Sequence, residues 1–477
     1  MQPFTALGDF WLPQQPRSVS GRLTFDGTDV DLLLFDTLTQ VEMPESGISL
    51  GHPQRQDHPR VFGKLIDGPF ASRSTIGTSH HVTLLDVSGF VIPIPAAEAT
   101  ERWGVGKVLI GAHSENESAS RARLFFDALQ AWASPPWLVR EMAPHDGTFT
   151  VYTKEIVLQE ATFEDSQYRL IATTEGGWGL NVHLDRGVCV EIQSREDHAF
   201  DEIPDTWSRP FHDLLTLCVG APVAVTEVRT EVKTIYGHTK MASLVFGAQQ
   251  NWSERSLTSA GLRERGTSAL LFADETSPDF SYFLPEWLEL RRDVSKVVDQ
   301  LTSVFYATTM YSENRYANIF KATEELSKRC YETTDVTKKA HKERVQLLIT
   351  AARESGVAAE HVEWADRVLT NRNDSPLHVL VTRLIEDAGE VGRAITASVP
   401  NAAKRMAAAR TASSHGGMST DSVAQSLLGT ILIFLLRMHL LREIGLDPQI
   451  AEQRVLSARA FQRALRAMQL HTSQQNP

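Results

Sequence analysis

The sequence predicts an α+β multidomain protein: a β-rich amino-terminal half, built as two β lobes or sandwich-like sheets, followed by an all-α helical bundle. Three observations predict it. Up to about residue 246, short apolar runs alternate with Gly- and Asp-containing turns. From Pro285 onward, apolar residues recur at helical spacing almost without interruption. Charge divides the same way: residues 281–477 carry 25 Lys and Arg against 22 Asp and Glu, a net +3, which out of a formal total of −12 leaves −15 on residues 1–280. An acidic half disfavours nucleic acid, so any RNA contact is expected in the carboxy-terminal half.

With 477 residues, 42% hydrophobic and 22% charged, the chain is too long for one core and has an ordinary soluble composition. The expected division is a β-rich lobe at 1–147, a second β-rich lobe with its linker at 148–280, and the helical domain at 281–477.

In chain order, runs at 21–25 and 30–35 flank Asp26-Gly27, a strong hairpin dipeptide, and runs at 82–87 and 90–94 flank Ser88-Gly89. Leu124, Phe125, Ala128, Leu129 and Trp132 predict a helix over 118–132. Gly104-Val105-Gly106-Lys107 lacks the spacing of a phosphate-binding loop and is expected to be a turn. Further strands are expected at 151–159, 168–173, 179–184 and 187–193, with Gly176-Gly177 and Asp185-Arg186-Gly187 as turns. A helix over 206–219 then precedes strands at 223–232 and 241–246. The polar stretch 249–279 fits a linker. Helices are predicted at 285–311, 314–331, 337–355, 358–369, 376–395, 401–412, 419–444 and 448–470. Asp421 and Asp447 offer N-caps, the latter before Pro448 at the first helical position.

Cys189, Cys218 and Cys330 are far apart and have no metal-ligand spacing, which suits a reducing compartment. His80-His81 and His113 are a weak metal signal, because adjacent strand residues point to opposite faces. Residues 1–5 show no secretory pattern, and the most apolar stretch, 427–436, is about half a bilayer span. A cytoplasmic protein with no cofactor, metal or membrane is expected.

The stretch that carries chemistry is 404–417. An Ala-rich helix brings Arg410 and, five positions later, His415 to the Gly416-Gly417 break. A guanidinium can stabilise charge developing on phosphorus, and an imidazole can move a proton near neutral pH. Arg followed five or six positions later by His recurs at Arg140/His145, Arg372/His378 and Arg466/His471, but those lie in loops or in a tail expected to fray. Arg410/His415 lies in an acid-free run, 391–420, with Arg393, Lys404 and Arg405 as candidate contacts to an RNA backbone. The same residues also fit a purely structural role, a cation and a cap at a helix end. Tyr316, Ile319, Thr323, Leu326 and Cys330 form a core stripe, with Glu324 at its edge.

Arg410 to Gly416 with the surrounding helices resembles a HEPN domain, whose signature is Arg, a polar residue, a few more residues and His. Asp9 to Pro13, Gly21 to Phe25 and Val82 to Asp86 resemble the amino-terminal domain of ApeA-type anti-phage HEPN proteins. The resemblance implies a metal-independent endoribonuclease in anti-phage defence by abortive infection, working as a homodimer whose paired Arg-His motifs face one cleft. It places Arg410 and His415 as catalytic, Thr411 at the position usually held by Asn, Asp or His, and Glu324 as an orienting carboxylate. It also implies RNA, such as tRNA or another host RNA, as the substrate. A phage-derived trigger acting on the amino-terminal half would then sense infection or release restraint. The alternative reading is a non-catalytic HEPN protein that dimerises or binds a partner.

Overall fold

A computed structural model describes residues 3–15, 17–38, 54–66, 80–91, 101–133, 155–177, 183–247, 268–273, 279–307, 309–370, 372–414 and 421–475. Contacts divide the chain into two compact units, Met1–Arg263 with Phe272–Leu288, and Glu264–Leu271 with Glu289–Pro477.

The first unit is organised by one 12-stranded antiparallel sheet. Its strands are β1 (Phe4–Trp11), β2 (Val19–Phe25), β3 (Val30–Leu34), β4 (Gln54–Leu65), β5 (His80–Val91), β6 (Glu101–Ile110), β7 (Ser118–Phe126), β8 (Ile156–Phe163), β9 (Ser166–Gly177), β10 (His183–Ala199), β11 (Val225–Lys233) and β12 (Thr239–Phe246). The order is β3-β2-β1-β4-β5-β6-β12-β11-β7-β10-β9-β8, and a further β3–β6 pairing closes the first six strands into a barrel. The ladder is continuous across the lobe boundary expected near residue 147.

β6 makes this possible by dividing one edge between two partners. Its residues 101–104 pair with β3, and its residues 107–110 pair with β12. At the handover, Gly247 N donates to Gly106 O at 2.7 Å. A Cβ on Gly247 would lie 2.5 Å from Val105 O, so the junction needs glycine. Phe10, Leu23, Leu32, Val61, Leu84 and Trp103 are among the buried side chains that fill the barrel.

Several expected turns are strand instead. β5 runs unbroken through Ser88-Gly89, where Gly89 leaves room for the Trp103 ring, 2.7 Å from where its Cβ would sit. Gly104 to Lys107 lie inside β6, with Lys107 Nζ 2.7 Å from both Asp86 Oδ2 and Asp201 Oδ1. Asp185-Arg186-Gly187 pair within β10. The expected Asp26-Gly27 hairpin is present: Asp26 Oδ1 accepts from Thr28 N and Asp29 N at 2.8 Å, and Gly27 has φ 105°. His81 reaches His113, and their rings stack at 4.3 Å.

The helix predicted over 118–132 is also corrected. Residues 118–126 form β7, and only Leu129–Ala133 is helical, as α1. Ala122, Leu124 and Phe126 are buried while Arg121 and Arg123 alternate with them, a period of two that the apolar residues alone had hidden. Those arginines meet Glu191, whose side chain is fully buried on β10. Arg121 Nη2 and Arg123 Nε each lie 2.7 Å from Glu191 Oε2, and Arg169 pairs with the other oxygen. Burial alone would raise the Glu191 carboxyl, but the hydrogen bonds and charges of Arg121 and Arg123 hold it below its usual value. α2 (Arg209–Val219) follows a single wide turn at Pro204–Ser208 and ends at left-handed Gly220.

The remaining helices are α3 (Phe280–Asp293), α4 (Ser295–Tyr306), α5 (Ser312–Cys330), α6 (Lys338–Glu354), α7 (Ala359–Thr370), α8 (Leu377–Glu386), α9 (Glu390–Ser398), α10 (Ala402–Ser414), α11 (Ser422–Glu443), α12 (Pro448–Ser457) and α13 (Arg459–Gln475). The expected helices hold, but three are cut in two: at Val294, at Gly389 and at Ala458. At the second break Gly389 has φ 58°, and a Cβ there would meet the Glu452 carboxylate at 2.5 Å. That carboxylate accepts from Glu390 N at 2.9 Å and so caps α9 from another helix. Both predicted N-caps form: Asp421 Oδ1 accepts from Ala424 N at 2.9 Å, and Asp447 Oδ1 from Gln449 N at 2.8 Å.

α11 is the bundle's central helix, buried along most of its length. Among the described residues it alone is long and apolar enough to cross a membrane, yet 72% of its apolar window is buried within the protein. At roughly 1.5–3 kcal/mol for each buried Leu, Ile or Phe, this helix contributes much of the bundle's cohesion.

Glu191→Gln should lower stability by about 3 kcal/mol, because it leaves three arginines facing a neutral amide. Since the folded carboxyl titrates below its ordinary 4.5, its contribution is complete above that pH and is lost as pH falls through the lower folded value. Urea melts from pH 7 downward should therefore show the wild-type and variant curves converging only on the acid side.

Candidate active site

Arg410 stands on α10, which packs against α5 and α8. The sequence folds α10 because ten of its residues are Ala, Lys, Arg or Met, and Ala402, Ala403 and Met406 are buried on one side. One polar contact fixes its depth. Tyr316 Oη, on α5, donates to Met406 O at 2.8 Å inside the core. Met406 O is also the carbonyl that a regular helix bonds to the N–H of Arg410, so the tyrosine grips the turn that carries the arginine. Burial raises the Tyr316 phenol far above its usual value, keeping it a donor.

α11 holds the other side. Gln425 Nε2 donates to Ala409 O at 3.3 Å. Gly429 on the same helix faces Ile319 and Tyr316 of α5.

Glu324, on α5, faces Arg410 across this packing. Its Oε2 is 3.8 Å from Arg410 Nη2, an ion pair too long for a hydrogen bond, and its Oε1 accepts from Lys328 Nζ at 2.8 Å. The Glu324 side chain is 19% exposed and that of Arg410 is 46% exposed, so the carboxylate is the fixed partner and the guanidinium reaches solvent. The Glu324 hydrogen bond is the main cause of a raised Lys328 ammonium. Arg410 and Glu324 are thus together in space although 86 positions apart in sequence.

The other predicted residues fall as follows. Thr411 lies on α10, directly after Arg410. His415 falls outside the described residues. Lys404 is exposed on α10, and Arg405 Nη1 donates to Thr472 Oγ1 at 2.7 Å. Arg393 lies apart on α9, paired with Glu390 one turn away.

Arg466 and His471, expected in a fraying tail, lie on a helix. Helix α13 reaches Gln475, and His471 Nε2 lies 3.1 Å from Asp421 Oδ2 at the start of α11. Tyr316, Gln425 and the Asp421/His471 pair were missed from the sequence. A tyrosine in an apolar stripe and a glutamine at the head of an apolar helix were the available signals. Among the described residues, no three His, Cys, Asp or Glu are grouped to hold a metal ion.

Comparison with known families adds to this geometry. The family described as ApeA N-terminal domain 1 matches residues 5–287, and the one described as Apea-like HEPN matches residues 317–450. The chain belongs to the ApeA-type anti-phage HEPN family. The HEPN match covers α5 through the start of α12, and so includes Glu324, Arg410 and His415. The amino-terminal match covers the 12-stranded sheet from Thr5 onward. No curated protein and no solved structure matches the chain.

Tyr316→Phe should cost about 1 kcal/mol of stability in denaturant unfolding, the net worth of one buried hydrogen bond, while leaving the helical circular dichroism intact.

Proposed function

We propose that this ApeA-type protein is a metal-independent endoribonuclease acting in anti-phage defence by abortive infection. The observation that carries the reading is the Arg410 guanidinium, held on a clamped helix beside Glu324 and open to solvent. HEPN domains are generally ribonucleases, and the acid-free run 391–420 suits a phosphate backbone.

In this mechanism His415 takes the proton of a ribose 2′-hydroxyl, or gives one to the leaving 5′-oxygen. The 2′-oxygen attacks phosphorus, the bond to the 5′-oxygen breaks, and Arg410 stabilises the charge on the phosphorane. Glu324 orients Arg410, Thr411 supplies a hydrogen bond, and Lys404, Arg405 and Arg393 hold the RNA backbone. One Arg-His pair gives an incomplete set of acid, base and charge stabiliser, so two chains pair across a two-fold axis to complete it. The products are a 2′,3′-cyclic phosphate and a 5′-hydroxyl, and DNA is spared. A host RNA such as tRNA is the substrate in the cytoplasm. The acidic amino-terminal half senses a phage-derived trigger or restrains the helical half.

Arg410→Ala and His415→Ala should each lower RNA cleavage by at least about 10²-fold and abolish phage protection, with stability changed by no more than about 1 kcal/mol. Cleavage that requires an added divalent metal, or that extends to DNA, would exclude the mechanism. Equal loss of folding and function would favour a non-catalytic dimerisation role instead. Deleting residues 1–280 should make the protein more toxic to cells; a folded but harmless truncation would argue against restraint.

A further inference from the structure

Helix α13 carries Arg459, Arg463 and Arg466 and no Asp or Glu, and all three arginines are exposed. At about 100° per residue they fall within about 60° of one another, opposite the buried Phe461, Ala464, Leu465 and Met468. They form a stripe on the outer face, stepping about 6 Å and then about 4.5 Å along the axis. Leu470, 67% exposed, continues the line. The wider stretch 453–477 has four arginines and no acid, more than the whole net +3 of residues 281–477.

Local helix physics does not account for these charges. Arg459 is the first residue of α13, at the end where the macrodipole disfavours a cation. No carboxylate stands three or four positions away within the helix to pair with any of them. Among the described residues, none of the three side chains has an ion-pair partner, whereas Arg344 pairs with Asp335 and Arg393 with Glu390. Three like charges in a row repel one another, and a polyanion relieves that cost.

The stripe runs along α13 toward the elements of the candidate site. At that end of the helix His471 Nε2 lies 3.1 Å from Asp421 Oδ2, just before α11, and Thr472 Oγ1 accepts from Arg405 Nη1 at 2.7 Å. Arg405 is on α10, five positions before Arg410. Two consecutive residues of α13 thus touch the two helices that bracket His415 in the chain. Of the expected RNA contacts, Arg405 is committed to Thr472 and Arg393 to Glu390, so α13 holds the larger store of uncommitted charge. An anionic membrane would need an apolar strip beside the cations, and among the described residues of α13 Leu470 is the one large apolar side chain exposed.

We propose that the Arg459/Arg463/Arg466 stripe of α13 is an RNA-binding track, which holds the phosphate backbone of a substrate strand on its way to Arg410. The inference rests on the ribonuclease reading for its ligand and deepens it. The track lies beyond residues 317–450, the extent of the HEPN family match, so it is a feature of this chain's own carboxy-terminal helix.

Binding of the full-length protein to a labelled single-stranded 2′-O-methyl RNA, which offers no attacking hydroxyl, tests this. Arg459→Gln, Arg463→Gln and Arg466→Gln together should weaken binding at least about tenfold and flatten the plot of log Kd against log salt by about 2, since each single-strand phosphate contact contributes about 0.7. Helical circular dichroism should be unchanged, and Arg459→Lys with Arg463→Lys and Arg466→Lys should keep most of the affinity. With unmodified RNA, the triple Gln chain should show a raised KM for a long strand and a wild-type kcat for a dinucleotide, which is too short to reach α13. The two readings fail separately. RNA that is bound through the stripe but never cut would sink the ribonuclease reading and leave the track standing. A folded triple Gln chain with wild-type affinity and salt slope overturns the track, whether or not it cuts RNA. So does a triple Gln chain that loses binding to phosphatidylserine vesicles while its RNA binding is unchanged.

Discussion

The hydroxyl of Tyr316 against the carbonyl of Met406 is the contact on which the candidate site depends. It lies inside the core, where a phenol without a partner would be costly, so the helix bearing Arg410 is held against α5. Gln425 on Ala409 ties the same helix to α11. Arg410 is therefore carried by a stiff element while its charged end stays in solvent, the combination that catalysis by a fixed cation requires. The ion pair with Glu324 is secondary: at 3.8 Å and partly exposed it steers the guanidinium more than it stabilises the fold.

The first unit solves a different problem. A barrel and an open sheet each need strand edges, and β6 serves both by giving half of one edge to β3 and half to β12. The arrangement leaves the barrel closed and lets the sheet continue through β11, β7 and β10. Glu191 and its arginines then lock three of the later strands, β7, β9 and β10, through buried charge, so this region depends on pH in a way the barrel's apolar filling does not.

Much of this was legible in the residues. The switch from period-two to helical spacing marked the change from sheet to bundle, and Asp26-Gly27, Asp421 and Asp447 announced their hairpin and caps through local chemistry. The failures share one cause. Ser88-Gly89, Gly104 to Lys107 and Asp185 to Gly187 look like turns because glycine permits turns, but two of these glycines make room for a neighbour: Gly89 for the Trp103 ring and Gly106 for the Asp86 side chain. Likewise Leu124, Phe125 and Leu129 suggested a helix until Glu191, 62 or more positions away, gave Arg121 and Arg123 a reason to alternate with apolar residues.

By itself, the sequence determined the class of each half, the caps, the apolar central helix and the Arg410-centred basic stretch, because each follows from spacing and composition within a few turns of chain. The tertiary structure decided which side chains meet: Tyr316 with Met406, Glu324 with Arg410, His471 with Asp421, and β6 with two partners at once. These pairings join residues far apart along the chain, and their positions are set by the packing of whole elements, which no local pattern encodes.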